Sequence, residues 1–156
     1  MDPKAAMALL ESELVAQGLA AKGWTAGWDR ARLRFGACWP HRKRITLSRI
    51  LTEINAREQV HDTILHEVAH ALVFERFGRL HGHGPEWKAV AAELGATPRA
   101  CSTTGQLPPG RFALVHTETG EVFRTYQRRP KRTNLQGRYI RGRKRETLDQ
   151  LAIIEL

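Results

Sequence analysis

Between Ala56 and Phe77, Val60, Ile64, Val68 and Leu72 recur four residues apart, and within this run stands His66-Glu67-Val68-Ala69-His70. The spacing predicts one amphipathic helix closed by Gly78 as its C-cap. Two histidines at i and i+4 lie on one helix face about a turn apart, so both imidazoles can reach a single metal ion. The helix is apolar on most sides, where an unpartnered polar triplet would be costly to bury. Zinc accepts nitrogen donors and keeps an open position when the protein supplies three ligands. Glu67 then stands beside that position, free to accept a proton from an activated water.

A third ligand is needed. The long metzincin spacing asks for glycine and histidine where this chain has Val73 and Arg76, which excludes that class. A thermolysin-like arrangement would use a helical glutamate, Glu86 or Glu93. The better candidate is His83 in His81-Gly82-His83-Gly84-Pro85-Glu86-Trp87, because the flanking glycines let the backbone bend and Pro85 can open a helix. His81 competes with His83 for the role.

His66-Glu67-x-x-His70, a twelve-residue gap and His83-Gly84-Pro85-Glu86-Trp87 together resemble the SprT-like metallopeptidase domain, in its bacterial and Spartan-like forms. Ile45-Thr46-Leu47-Ser48 and Phe77-Gly78-Arg79 agree with the bacterial members, and the resemblance spans roughly residues 5–100. It implies an α+β fold of zincin-like helices packed on a small antiparallel sheet. It also implies one Zn2+ per chain on His66, His70 and His83, with Glu67 as general base of a peptidase. Family members commonly end in a zinc ribbon built on two cysteine pairs. This chain has no cysteine after Cys101, so the expectation is a metal-free relic. His116-Thr117-Glu118-Thr119-Gly120 would stand at its first knuckle and Tyr139 to Lys144 at its second.

The same C-terminal part carries the charge. Arg124, Arg128, Arg129, Lys131, Arg132, Arg138, Arg141, Arg143, Lys144 and Arg145 fall within residues 124–145 without one acid, in a chain of net charge +9. Such density suits a polyanion such as DNA, since each neutralised phosphate releases counterions. Arg42-Lys43-Arg44 is a second, shorter run. The expected division is a metallopeptidase domain over 1–105 and a basic, β-rich, ribbon-like module over 106–156, joined near Leu107-Pro108-Pro109-Gly110.

Elsewhere, Met7, Leu10 and Leu14 mark a helix over 4–20. Alternation in Leu33-Arg34-Phe35 and in Ile45-Thr46-Leu47-Ser48 marks two short strands. Another helix is expected from Pro85 to Gly95, and a hairpin around Thr119-Gly120. Trp24, Trp28 and Trp87 read as core aromatics, Cys38 as a structural thiol, and His41, His61 and His116 as surface residues. Two cysteines make no disulfide framework. No apolar run is long enough to span a membrane, and the N-terminal residues lack signal-peptide order, so a soluble cytoplasmic protein is expected. Taken with the resemblance, which implies proteolysis of proteins attached to DNA, these features favour a zinc-dependent endopeptidase acting on proteins associated with or crosslinked to DNA. The alternative is a nucleic-acid-binding or regulatory protein with a structural zinc site. Glu67 separates the two, because a purely structural site has no use for a carboxylate beside the metal.

Overall fold

In the computed structural model, which describes residues 1–79, 82–99 and 105–156, the first helix, α1 (Pro3–Ala16), starts where Asp2 accepts a hydrogen bond from the Ala5 N–H. Its Ala6, Leu10 and Leu14 are fully buried, each leucine contributing about 1.5–3 kcal/mol by leaving water. Three strands follow: β1 (Thr25–Asp29), β2 (Gly36–Trp39) and β3 (Arg44–Ser48). The sheet order is β1-β3-β2. β3 takes the centre because Ile45, Thr46, Leu47 and Ser48 are all buried.

The α+β class stands, but the sheet is mixed rather than wholly antiparallel. β2 and β3 form an antiparallel pair across a tight turn at Pro40–Arg42, with Lys43 left-handed at φ 45°. β1 lies on the other side of β3 and runs parallel to it, since the chain must double back through residues 30–35 before β2 begins. The strand expected at Leu33-Arg34-Phe35 is part of that return. Leu33 faces solvent, and the Phe35 ring lies against the bare backbone of Gly105.

Ser48 ends β3 and caps a short helix, α2 (Arg49–Ile54), by accepting from the Leu51 N–H. The long helix α3 (Arg57–Phe77) packs on the sheet and closes at Gly78, φ 67°. This is the C-cap that the glycine's position predicts. α4 (Pro85–Glu93) starts at its proline. Asn55 clamps the returning chain by accepting from the Gln106 N–H and donating to the Gln106 carbonyl. Among the described residues no helix is long and apolar enough to cross a membrane.

The chain divides into two compact units, 1–108 and 109–156. The second is a three-stranded antiparallel sheet of β4 (Phe112–His116), β5 (Val122–Tyr126) and β6 (Leu151–Glu155), in the order β5-β4-β6, with one turn of helix, α5 (Lys144–Thr147). The β4–β5 hairpin turns where Thr119-Gly120 predicts. His116 is not a surface residue: it is buried. Its Nδ1 accepts from the N–H groups of Glu118 and Thr119, and its Nε2 meets the Glu146 carbonyl at 2.9 Å. Nε2 therefore carries the hydrogen. Arg143 forks onto Glu121 at 2.6 and 3.0 Å and also reaches Glu146 at 2.8 Å. The two turns expected as ribbon knuckles are thus joined by an imidazole and a guanidinium.

Candidate metal centre

His66 and His70 project from the middle of α3, and His83 comes from the turn ahead of α4, where Gly82 is left-handed at φ 53°. Their donor atoms lie within 4.8 Å of one another, the one such cluster of histidine, cysteine or carboxylate groups among the described residues. His83 Nε2 is 3.0 Å from His66 Nε2 and 3.2 Å from His70 Nε2. A ring nitrogen offers one hydrogen or one lone pair, so His83 can complete only one good hydrogen bond with these two neighbours. A cation accepting all three lone pairs removes the conflict. Tetrahedral zinc with Zn–N bonds of about 2.0–2.1 Å sets its nitrogen donors about 3.3 Å apart, close to the spacing found. The donor set therefore fits zinc.

The imidazoles are also in the right protonation state. Burial, with the charge of neighbouring histidines behind it, lowers His66 to about 4 and His70 to about 3. Burial lowers His83 as well. Neutral imidazole is the form that binds metal. Trp87 forms the wall behind all three rings. It is wholly buried, with ring centroids 4.5 Å from His66, 5.2 Å from His70 and 4.6 Å from His83. Its indole N–H points at the His66 carbonyl, 3.4 Å away. Trp87 is a core aromatic, as the sequence suggests, and it also fixes the orientation of the donors.

Glu67, one residue along α3, is 8% exposed. Burial raises its carboxyl to about 7, against the opposing pull of the Arg34 charge and a hydrogen bond from the Cys38 backbone. Gly36 makes this placement possible. A Cβ there would sit 2.9 Å from Glu67 Cγ and 3.0 Å from Thr63 Cγ2. Neither Gly36 nor Arg34 stands out in the sequence, because only the packing of β2 on α3 gives them a role. Cys38 lies within β2, and burial raises its thiol pKa, followed by the Glu67 charge. It is an inert thiol at neutral pH.

The remaining candidates are accounted for individually. His81 and Cys101 fall outside the described residues. Glu93 pairs with Arg76 at 3.3 Å, and neither it nor Glu86 joins the histidine cluster. His61 faces Glu13 at 3.7 Å, and His41 packs edge-on against Phe74. Of the basic run, Arg143 is committed to Glu121 and Glu146. Arg124 lies over the Tyr126 ring and Lys144 over the Tyr139 ring. Arg128, Arg129, Lys131, Arg132, Arg138, Arg141 and Arg145 have no acidic partner among the described residues, and all but Arg138 and Arg141 are flanked by another cation in sequence.

The model of the SprT-like family matches residues 6–106. Protein SprT of Klebsiella pneumoniae subsp. pneumoniae is 42% identical over 63 residues, which is 40% of this chain and 38% of that protein. Protein SprT of Actinobacillus succinogenes is 31% identical over 74 residues, 47% and 44% of the two chains. That of Pasteurella multocida is 31% identical over 78 residues, 49% and 47%. The matches thus span less than half the length of each relative. With its family model covering most of the first unit, including all three histidines and Glu67, the chain belongs to the SprT-like family.

Proposed function

We propose that this chain is a zinc-dependent endopeptidase whose substrates are proteins associated with, or crosslinked to, DNA. One observation carries the reading: a buried carboxylate, Glu67, stands next to three converging neutral imidazoles and is not one of them. His66, His70 and His83 would hold the zinc through Nε2. Bound there, zinc supplies Lewis acidity, polarising a carbonyl and making water more acidic.

The protein's own groups do the rest. Glu67 accepts the proton of the attacking water on a carboxylate oxygen and returns it to the departing amine. The Cys38 backbone and Gly36 hold that carboxylate in place. β2 is an edge strand beside Glu67, where an extended polypeptide can add as a further strand. The cations of the second unit supply attraction to phosphates, which brings a DNA-bound substrate close. The family match supports the metallopeptidase class, and the basic run supports the nucleic-acid partner.

The test is cleavage of a DNA-binding protein, with and without DNA, by wild type and Glu67→Gln. Glu67→Gln should keep its zinc and its fold while losing turnover by about 10²-fold or more. Undiminished turnover in zinc-loaded Glu67→Gln would remove the proposed base. Absence of cleavage by wild type on any protein, with zinc bound, would leave a nucleic-acid-binding protein with a structural metal.

A further inference from the structure

The face of the first sheet turned away from α3 carries a second arrangement. Ladder partners point to the same side of a sheet and alternate along each strand. Ile45 and Leu47 of β3 face the helical core together with Cys38 and Gly36 of β2. The opposite face therefore holds Gly27 and Asp29 of β1, Arg44 and Thr46 of β3, and Trp39 of β2. Trp39 is 41% exposed, yet it is closely held. Its Nε1 donates to Thr46 Oγ1 at 3.3 Å, and Thr46 donates to Asp29 Oδ2 at 2.9 Å. Asp29 accepts from Arg34 Nη2 at 2.9 Å, and the Arg34 guanidinium returns over the Trp39 ring, 5.6 Å from its centroid. Four residues close a circuit that fixes one end of an exposed indole and places a cation on it.

Arg44, the ladder partner of Trp39, adds a second cation. It lies flat on β1 because residue 27 has no side chain; a Cβ there would collide with the guanidinium. Residues 24–48 contain six basic side chains and a single acid, Asp29, whereas acids outnumber bases over the rest of residues 1–123. That acid is saturated by Ala31 N–H, Thr46 and Arg34. Lys43 is excluded from the face, being tied to Glu75 and the Lys22 carbonyl.

Single exposed aromatics are ordinary; one locked by hydrogen bonds, with one arginine over its ring and a second on the same face of the sheet, is built for a flat, anionic ligand. We propose that this face binds single-stranded nucleic acid, one base stacking on Trp39 and the flanking phosphates meeting Arg34 and Arg44. A duplex hides the faces of its bases, and an acidic peptide satisfies the cations without using the indole. The site lies in the first unit, separate from the basic run at 124–145, and needs no peptidase activity. Its failure would therefore leave the role of Glu67 untouched.

The test uses the full chain with Arg128, Arg129, Lys131 and Arg132 changed to Gln, so that the first unit's share of binding is visible. Fluorescence anisotropy is read with an oligothymidylate, its abasic analogue, a duplex of equal length and polyglutamate. Trp39→Ala should weaken oligothymidylate binding on the order of tenfold and abasic binding by less than about twofold, with Trp39→Phe recovering most of the loss. Arg44→Gln should lower the salt slope by about one contact. Zinc content reports the fold of each variant. Equal losses on the base-bearing and abasic strands, or a larger loss on polyglutamate, would overturn the proposal. If Trp39→Ala does not fold, Trp39→Phe and Arg44→Gln decide it. An unchanged salt slope in Arg44→Gln would then overturn it.

Discussion

In the first unit three half-buried histidines meet against Trp87, which belongs to a continuous apolar core that includes Ile64, Val68, Leu72 and Val90. In the second unit the turns at His116 and Arg143 are joined by a buried imidazole and an exposed guanidinium, and the fully buried side chains shrink to residues such as Ala113 and Thr147. The first unit spends its packing on holding neutral donors close together, an arrangement that only a cation relieves. The second satisfies its turns internally, with an imidazole bonded on both nitrogens and an arginine bonded to two glutamates. A metal ligand must keep its lone pair free; a structural polar group must not. That contrast distinguishes His83 from His116 although both stand at a turn.

The largest effect expected from this difference is on metal content. His83→Ala should remove most of the zinc, whereas His116→Ala should leave it unchanged, as read by metal analysis of the purified proteins. Comparable zinc loss in His116→Ala would break the comparison outright, because it would make the second unit a metal site.

Next comes the packing around Glu67. Gly36→Ala inserts a methyl group 2.9 Å from Glu67 Cγ and should cost about 1–3 kcal/mol of stability by overpacking. Peptidase activity should fall with it while zinc stays bound, because the histidines lie elsewhere on α3. Denaturant unfolding and metal analysis check this together. A variant with full activity would show that the carboxylate does not depend on β2.

A smaller loss is expected in the second unit. Thr147 is fully buried, donates to the Arg143 carbonyl at 2.7 Å and accepts from the Ile140 N–H at 2.9 Å. Thr147→Val leaves the Ile140 N–H without its partner, while the Arg143 carbonyl keeps the Thr147 N–H, and should cost about 1–3 kcal/mol, seen by hydrogen exchange at Ile140 and not at α3. The most modest effect is that of the exposed cations. Changing Arg128, Arg129, Lys131 and Arg132 to Gln should flatten the salt dependence of DNA binding by up to about four contacts' worth. Zinc content and cleavage of a small free peptide should not change. Parallel loss of peptide cleavage would mean that the run supports the fold of the first unit.

The sequence discloses the metal centre better than the sheet that supports it. His66 and His70 declare themselves by helical spacing, and His83 by its glycines, because ligand geometry is local at each of these places. β1 and β2 leave no such trace. Thr25-Ala26-Gly27-Trp28-Asp29 and Gly36-Ala37-Cys38-Trp39 contain few branched side chains and two glycines, so periodicity points instead to the neighbouring Leu33-Arg34-Phe35. Those glycines exist for contacts distant in sequence: Gly27 for Arg44 and Gly36 for Glu67. The burial of His116 is equally invisible, since its partner carbonyl lies 30 residues further along the chain.

The indole behind the three histidines gives the protein an optical property. Trp87 is sealed from solvent and tilted only 28° from the plane of the His70 ring, so its emission must respond to whatever the imidazoles hold. A closed-shell ion such as zinc should leave that emission largely intact, while an open-shell ion such as cobalt or copper in the same position should quench it at this range. Trp24 is buried as well, so titration with the two kinds of ion, read as the part of the buried-tryptophan emission that the open-shell ion removes, would follow occupancy of the site without substrate, label or chelator dye.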